Sequence, residues 1–320
     1  MFHSQLISLC GNQTSLTEFI LLGFGTVSKL QILLFLLFLV IYIVTMAGNI
    51  LIVVLVVTDQ QLHTLMYFFL GNLSCLETCY TSTVLPRIMA SLLTGDRTIS
   101  IGSCIAQFYF AGFFAATECY LLAVMSYDRY LAICKPLQYA TLMNGSFCLQ
   151  LAAGSWINGF LALIQTATIF MLPFHGPNKI NHFFCDVLPV LRLVSTDTSL
   201  INAIISFLTR VFTIVPLILI ITSYASIIRT ILKMHSGEGR HKAFSACSSH
   251  LITVILFYCS AFITYLRPSS NVSVDTDRAL ALLYTIIIPT FNPIIYSLRN
   301  KEVKEALRKF LTRSNISLFL

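Results

Sequence analysis

The sequence contains little charge and few of the motifs that enzymes need. Of its 320 residues 10% are charged, whereas about a quarter of the residues of a soluble domain carry a charge. It has no glycine-rich phosphate loop after a strand, no histidine cluster with metal-ligand spacing, and no serine, histidine and aspartate set outside the apolar segments. These absences argue against an enzyme. Internal repeats and low-complexity tracts are also missing, so we expect one folded domain.

What the chain has instead is hydrophobic sequence, which makes up 57% of it and is gathered in long blocks. Most blocks approach or exceed the roughly 20 residues that a helix needs to cross the hydrocarbon core of a membrane. The sixth block is short, but the small residues of 242–250 can extend it as a helix partly outside the lipid. The pattern predicts an all-α membrane protein, a seven-transmembrane helix bundle, with spans at residues 30–57, 66–93, 102–134, 147–172, 201–232, 251–266 and 279–298.

After the seventh block, apolar residues recur at helical spacing while basic residues take the opposite face. This pattern predicts a short amphipathic cytoplasmic helix that lies on anionic lipid. The alternative is a frayed basic tail. The expected divisions of the chain are therefore an extracellular tail at residues 1–29, a seven-span domain at 30–298, and a cytoplasmic helix and tail at 299–320.

The distribution of lysine and arginine predicts the orientation of the chain in a membrane. An odd number of spans puts the termini on opposite sides, and the side with more basic residues faces the cytoplasm. Loops one, three and five with the C-terminal tail carry twelve, the other side carries seven, and Arg210 lies inside a span. We expect a multi-pass plasma-membrane protein with an extracellular N-terminus, glycosylated at Asn12, and a cytoplasmic C-terminus. The net charge of +7 then reflects orientation, not nucleic-acid binding.

Two carboxylates, Glu77 and Glu118, lie inside predicted spans near the middle of the membrane. A charged carboxylate there is costly unless it is neutralised. The pair suggests a shared proton or a bound sodium ion; the alternative is two protonated acids that are hydrogen-bonded to their neighbours. We expect no other cofactor. A transporter is the main rival class, since such acids also mark ion paths, but it predicts repeats that the sequence lacks.

Motifs at the ends of the spans resemble those of odorant receptors. An Asp-Arg-Tyr run at residues 128–130 closes the third span, and Asn292 and Pro293 lie near the end of the seventh. In their order and spacing these motifs resemble the odorant receptors of the rhodopsin-like G-protein-coupled family, and residues 182–186 resemble the tetrapod, airborne-odorant branch. The resemblance covers nearly the whole chain and rests on residues 62–70, 125–137, 223–224, 242–250 and 289–300.

The resemblance implies a disulfide bond and a signalling partner. Of the three cysteines on the extracellular side, it pairs Cys104 with Cys185 and leaves Cys10 without an assigned partner. It also implies a small volatile odorant as ligand and a heterotrimeric G protein of the stimulatory olfactory type, which raises cyclic AMP. The residues implied in coupling and activation are Asp128, Arg129, Tyr130, Tyr224, Tyr258, Asn292, Pro293 and Tyr296.

The residues alone leave three interpretations of Arg129: it is held by Asp128, it is kept for an inserted partner, or it forms a plain ion pair at the end of a helix. The resemblance implies that Arg129 is released on activation and that Tyr224 and Tyr296 then move toward it.

The inward face of the third span predicts the chemistry of the ligand. Residues at helical spacing from Cys104 are apolar, and amine receptors of the wider superfamily keep an aspartate where this chain has Ala111. An ammonium would be left uncompensated there, so we expect a small, neutral, largely apolar ligand. Arg210 would favour carboxylic acids if it turned inward. The predicted pocket residues are Phe108, Ala111, Gly112, Ala115, Ile205, Leu208, Thr209, Phe212, Ala261, Phe262, Tyr265 and Thr285.

Overall fold

Seven long helical segments, called spans one to seven, form a bundle in the computed structural model. The structure describes residues 17–24, 28–171, 178–193, 199–265, 274–299 and 301–313. The seven predicted spans are confirmed, with most boundaries within a few residues of those expected. The spans are Ser28–Thr58, Leu65–Thr94, Ile101–Cys134, Gly145–Phe160 with Ala162–Phe170, Ser199–Lys233, Gly237–Tyr265, and a seventh made of Val274–Leu282, Leu283–Ile287 and Ile288–Arg299.

Hydropathy, and not length, separates span two from the other spans. Within the described residues five spans are long and apolar enough to cross a membrane, and span six, which is bent near residue 246, raises the number to six. Span two has 30 residues, enough to cross at 1.5 Å per residue, but its buried face carries polar groups such as Ser74, Glu77 and Thr81. These polar side chains lower the hydropathy of span two. They are not exposed to lipid, because they are buried inside the bundle.

Span three lies at the centre of the bundle. In its most apolar stretch 61% of residues are buried, against 22% for spans one and five. Neighbouring helices therefore cover most faces of span three, whereas spans one and five expose much of their apolar surface. Span three therefore contributes to both of the sites described below.

Two glycines allow helices to approach closely. A Cβ atom at Gly159 of span four would lie 2.8 Å from the carbonyl oxygen of Phe113 in span three. A Cβ atom at Gly48 of span one would lie 3.0 Å from the Cβ of Pro293 in span seven. Small residues at such contacts are typical of membrane helices, whose association depends on close packing.

A disulfide bond and a small sheet close one end of the bundle, which we call the disulfide end. The predicted Cys104–Cys185 bridge is confirmed. Strand β1 (Glu18–Leu21) lies between β2 (Thr98–Ser100), which is antiparallel to it, and β3 (Lys179–Ile180), which is parallel. Phe19 and Leu21 of β1 are buried against the disulfide. The sequence had predicted no strand in this segment.

The opposite end, which we call the Arg129 end, carries two short helices. One, Pro136–Leu142, follows span three, and the other, Lys301–Arg313, follows span seven. In the latter Val303 and Ala306 are buried, and the Tyr67 hydroxyl donates a hydrogen bond of 2.6 Å to Glu302. The predicted amphipathic helix is thus present, in place of the frayed tail that was its alternative.

Candidate functional site

A cavity of about 50 Å³ lies at the disulfide end beside span three. Phe108, Ala111, Gly112 and Ala115, the four span-three residues expected in a ligand pocket, all border it. Their alternation along the helix follows from its 3.6-residue repeat, which brings every third or fourth side chain to one face. This wall of the cavity is therefore entirely apolar.

The other walls come from residues that the sequence did not assign to a pocket. The wall residues are Tyr80 of span two, Ala162, Gln165 and Thr166 of span four, Phe184 to Val187 of the loop that carries the disulfide, and Tyr284 of span seven.

Asp186 places a carboxylate in this cavity wall. One of its oxygens accepts a hydrogen bond of 2.7 Å from the Tyr284 hydroxyl, and the other accepts one of 2.7 Å from the Val187 amide. The disulfide at Cys185 fixes the neighbouring backbone, so the carboxylate is held at the rim of the cavity. This location could have been predicted from the sequence, since Asp186 directly follows a cysteine that was expected to be bridged.

The expected pocket residues of spans five, six and seven do not border this cavity in the described part of the chain. Ile205 and Phe212 are buried, and Leu208, Thr209 and Ala261 are half-buried. Thr285 is buried, but its hydroxyl donates to the carbonyl oxygen of Ala281 in its own helix. The side chain of Tyr265 lies outside the described residues.

Phe262 and Arg210 are exposed side chains that do not border this cavity. The Phe262 side chain is 57% exposed, whereas Ala261, which projects about 100° from it, is half-buried. A contact of Phe262 with the ligand therefore stays a prediction. Arg210 is also exposed, so it contributes no positive charge to the cavity.

Glu77 and Glu118 lie in the middle of the bundle and are fully enclosed. The amide group of Asn292 donates to one Glu77 oxygen, and the Thr253 hydroxyl donates to the Asn292 oxygen at 3.0 Å. The other Glu77 oxygen and both Glu118 oxygens are buried without a hydrogen-bond partner among the described residues. Buried polar atoms of this kind normally bind water, a proton or an ion. No group of three or more histidine, cysteine or acidic residues suited to a metal occurs in the same part of the chain.

Asp128 and Arg129 do not form an ion pair within the described residues. Asp128 instead accepts a hydrogen bond of 2.8 Å from the hydroxyl of Tyr139, which lies on the short helix after span three. Burial raises the pKa of Tyr139, and the neighbouring Asp128 carboxylate raises it further, so Tyr139 keeps the proton that it donates. None of the interpretations of Arg129 from the sequence included this contact.

The three tyrosines implied in activation differ in their hydrogen-bond partners. The Tyr224 hydroxyl forms a hydrogen bond of 2.7 Å with Nδ1 of His250. The Tyr258 hydroxyl donates to the carbonyl oxygen of Cys119 at 3.2 Å. The hydroxyl of Tyr296 is buried and has no hydrogen-bond partner in the part of the chain that is described. His250 thus fixes Tyr224 in this arrangement, although no sequence motif assigned a separate role to His250.

Two further coupling residues pack against neighbouring elements. Tyr130 lies with the Lys135 ammonium 5.9 Å from the centre of its ring, within reach of a cation–π contact. Pro293 packs against Gly48 of span one.

His182 lies in the loop near the cavity. Burial lowers the pKa of His182, against the opposing effect of Asp186. The backbone amide of Phe184 donates to its Nδ1 at 3.4 Å, which requires that this nitrogen carry no proton. Asn12 and Cys10 lie outside the described residues.

A seven-helix membrane bundle with an enclosed cavity at one end and an arginine with hydrogen-bonded tyrosines at the other defines a membrane receptor. A sequence profile described as "Olfactory receptor" matches residues 38–314. The chain therefore belongs to the olfactory receptor family of G-protein-coupled receptors, which are not enzymes.

Individual relatives agree with this assignment over almost the full chain. Human olfactory receptor 10A7 is 50% identical over 306 residues, which cover 95% of this chain and 97% of the relative. Human olfactory receptor 9G4 is 50% identical over 300 residues, or 93% and 92% of the two chains. Mouse olfactory receptor 5AP2 is 47% identical over 302 residues, or 94% and 95%.

Proposed function

We propose that this olfactory receptor binds a small, neutral, largely apolar volatile odorant in the cavity at the disulfide end. The supporting observation is the wall of span three, where Phe108, Ala111, Gly112 and Ala115 offer no ionisable group. A mostly apolar cavity with a few polar groups is the usual form of a site that buries a small ligand. The pocket residues that we assign are those that border the cavity, with spans five and six as candidates for contacts to larger ligands.

The bound receptor activates a heterotrimeric G protein of the stimulatory olfactory type and so raises cyclic AMP. Arg129 makes no hydrogen bond or ion pair within the described residues, and its neighbour Asp128 is bound by Tyr139. It is therefore available to an incoming helix of the G protein, a helix-in-groove contact. Separation of Tyr224 from His250 would also make the Tyr224 hydroxyl available at the same end.

The Arg129 end faces the cytoplasm, and the disulfide end faces outward. The excess of basic residues around the Arg129 end supports this orientation, as does the oxidised Cys104–Cys185 pair. Asn12 is then extracellular and available for glycosylation. Digestion with a glycosidase should shift the electrophoretic mobility of the receptor, and an Asn12→Gln variant should lack that shift.

Glu77 and Glu118 share a proton or hold one sodium ion in the resting receptor. The carboxylate oxygens without partners support this proposal, since an ion or proton would satisfy them. A Glu118→Gln variant should change the basal cyclic AMP level, and in the sodium case it should also lose any dependence on sodium concentration. Identical basal activity in variant and parent at every sodium concentration would contradict the sodium assignment.

A matched ligand series tests the ligand class. An alcohol, an aldehyde, a carboxylic acid and an amine on one carbon skeleton are applied to cells that express the receptor, and cyclic AMP is measured. We expect the alcohol and aldehyde to be more potent than the acid and amine. Activation by the amine alone would overturn the assignment and would point to Asp186 as its partner.

An Arg129→Ala variant tests the signalling role. It should abolish the ligand-dependent rise in cyclic AMP while the receptor remains detectable at the cell surface. A normal response at equal surface density would exclude Arg129 from coupling.

A further inference from the structure

Gln165 occupies an unusual position in the cavity wall. It lies in the second helical segment of span four, Ala162–Phe170, and its side chain is only 8% exposed. It makes no hydrogen bond with the described residues, yet it borders the cavity. Its polar atoms are not among the fully enclosed unpartnered ones, so they retain some accessible surface.

Gln107, a second buried glutamine, differs from Gln165 because both ends of its side chain are hydrogen-bonded. Gln107 of span three donates from Nε2 to the carbonyl oxygen of Thr83 at 3.1 Å. Its Oε1 accepts from the backbone amide of Cys185 at 3.1 Å. Both ends of that side chain are therefore used to hold the disulfide loop against spans two and three. Gln107 is a structural residue, whereas the amide of Gln165 has no such role in the described structure.

Most other polar groups of the cavity wall are already engaged; the exception is the hydroxyl of Tyr80, which makes no hydrogen bond within the described residues. The hydroxyl of Thr166 donates to the carbonyl oxygen of Ala162 at 2.9 Å, and that of Tyr284 donates to Asp186. The amide of Gln165 offers two donor hydrogens and one acceptor oxygen. A buried polar group that lacks a partner costs more than an ordinary hydrogen bond contributes, so this amide is strongly favoured to bind whatever polar atom enters the cavity.

We propose that Gln165 determines specificity by donating a hydrogen bond to an oxygen of the ligand. This inference rests on the proposed function and narrows its ligand class. The ligand is a compact neutral molecule with a carbonyl or hydroxyl oxygen directed toward span four. Its hydrocarbon part lies against Phe108, Ala111 and Ala115. Because the amide is neutral, it offers no compensation for a charged group, and a pure hydrocarbon would leave it unpaired.

A Gln165→Met variant tests the inference, since methionine has a similar length and no strong hydrogen-bonding group. A ketone, an alcohol and the parent hydrocarbon on one skeleton are compared by cyclic AMP response at equal surface density. The ketone and alcohol should lose about tenfold in potency, the effect of one buried hydrogen bond. The hydrocarbon should be unaffected or slightly more potent.

Gln150→Met is the matched control, because Gln150 lies in the first segment of the same span with an exposed side chain. It should leave all three potencies unchanged. An equal loss for all three ligands in Gln165→Met would show a structural role and overturn the inference. If the parent receptor responds to no member of a broad volatile panel, the proposed ligand-gated function itself fails. A response of the parent that Gln165→Met reproduces without change would refute only the role of Gln165.

Discussion

At the Arg129 end of the bundle Asp128 and Tyr224 bind other side chains, whereas at the disulfide end the amide of Gln165 borders a cavity. Asp128 binds Tyr139 and Tyr224 binds His250, each through a hydrogen bond shorter than 3 Å. Gln165 has no partner of this kind in the described structure. An end proposed to meet one constant protein partner can keep some of its polar groups paired and leave Arg129 for that partner. An end proposed to select among small ligands needs a polar group that is still available at the cavity.

The largest effect should come from removing the disulfide bond, which affects the disulfide end alone. A Cys104→Ser variant removes the bridge that closes an 81-residue separation along the chain, and the loss of such a constraint typically costs 2–5 kcal/mol. We expect delivery to the cell surface to fall severely, as measured by antibody labelling of intact cells. Cys259→Ser, at an exposed free cysteine, is the control and should be delivered normally. Normal delivery of Cys104→Ser would mean that the sheet and loop hold this end without the bridge.

The contact of Gly159 in span four with Phe113 in span three sharpens the comparison, because Phe113 is next in sequence to the cavity residue Gly112. A Gly159→Ala variant places a Cβ atom 2.8 Å from the carbonyl oxygen of Phe113, and overpacking of this kind costs about 1–3 kcal/mol. Thermal unfolding of the purified receptor in detergent should occur at lower temperature.

Gly154→Ala is the matched control, since a Cβ there meets nothing within 4 Å. Its unfolding temperature should be unchanged or slightly higher, because alanine is the better helix former. Equal destabilisation by both variants would show that the close approach at Gly159 is not what matters.

At the Arg129 end, a Tyr139→Phe variant removes the hydroxyl that binds Asp128. The carboxylate is then free to pair with Arg129, so we expect the maximal cyclic AMP response to fall several-fold, in line with the 1.5–3 kcal/mol of a hydrogen bond to a charged group. Tyr127→Phe serves as control because its hydroxyl makes no hydrogen bond within the described residues. A rise in basal activity in Tyr139→Phe would indicate the opposite role for this contact.

The smallest effect concerns pH at the disulfide end. Burial lowers the pKa of His182, so the unfolded chain takes up a proton at higher pH than the folded receptor. Stability is therefore complete above the ordinary histidine pKa of about 6.5 and is lost as the pH falls below it. Between pH 7 and pH 5 the unfolding temperature should fall by about 2–4 °C, the shift that 1 kcal/mol produces in a large domain. A His182→Phe variant should show a smaller fall; an identical fall would assign the effect to other groups.

Much of the fold followed from the sequence, because span length and helical periodicity are properties of single segments. The seven spans, the Cys104–Cys185 bridge and the final amphipathic helix were expected on those grounds or from the family motifs. Periodicity also placed Phe108, Ala111 and Ala115 on one face correctly. It does not give the rotation of one helix relative to its neighbours, so it did not reveal that the Phe262 side chain is exposed.

The contacts that the sequence did not reveal join segments that are far apart in the chain or depend on side-chain pairing. Tyr80, Gln165 and Tyr284 come together only because spans two, four and seven surround the same part of span three. Tyr139 lies in a short helix with no distinctive pattern, so its hydrogen bond to Asp128 had no signal. Strand β1 has four residues, too few for alternation to distinguish it from a loop.

The position of β1 in the middle of its sheet also sets an order of events during synthesis. Ile20 pairs with Thr98 and with Lys179, and these partners are translated long after it. At about 5–20 residues per second, the ribosome needs on the order of 10–30 s to reach the last strand. The first strand to be made can pair with β2 after two helices, but its other partner, β3, follows only after four. Quality control in the secretory pathway therefore meets this receptor with one edge of its central strand unpaired until the fourth helix has been made.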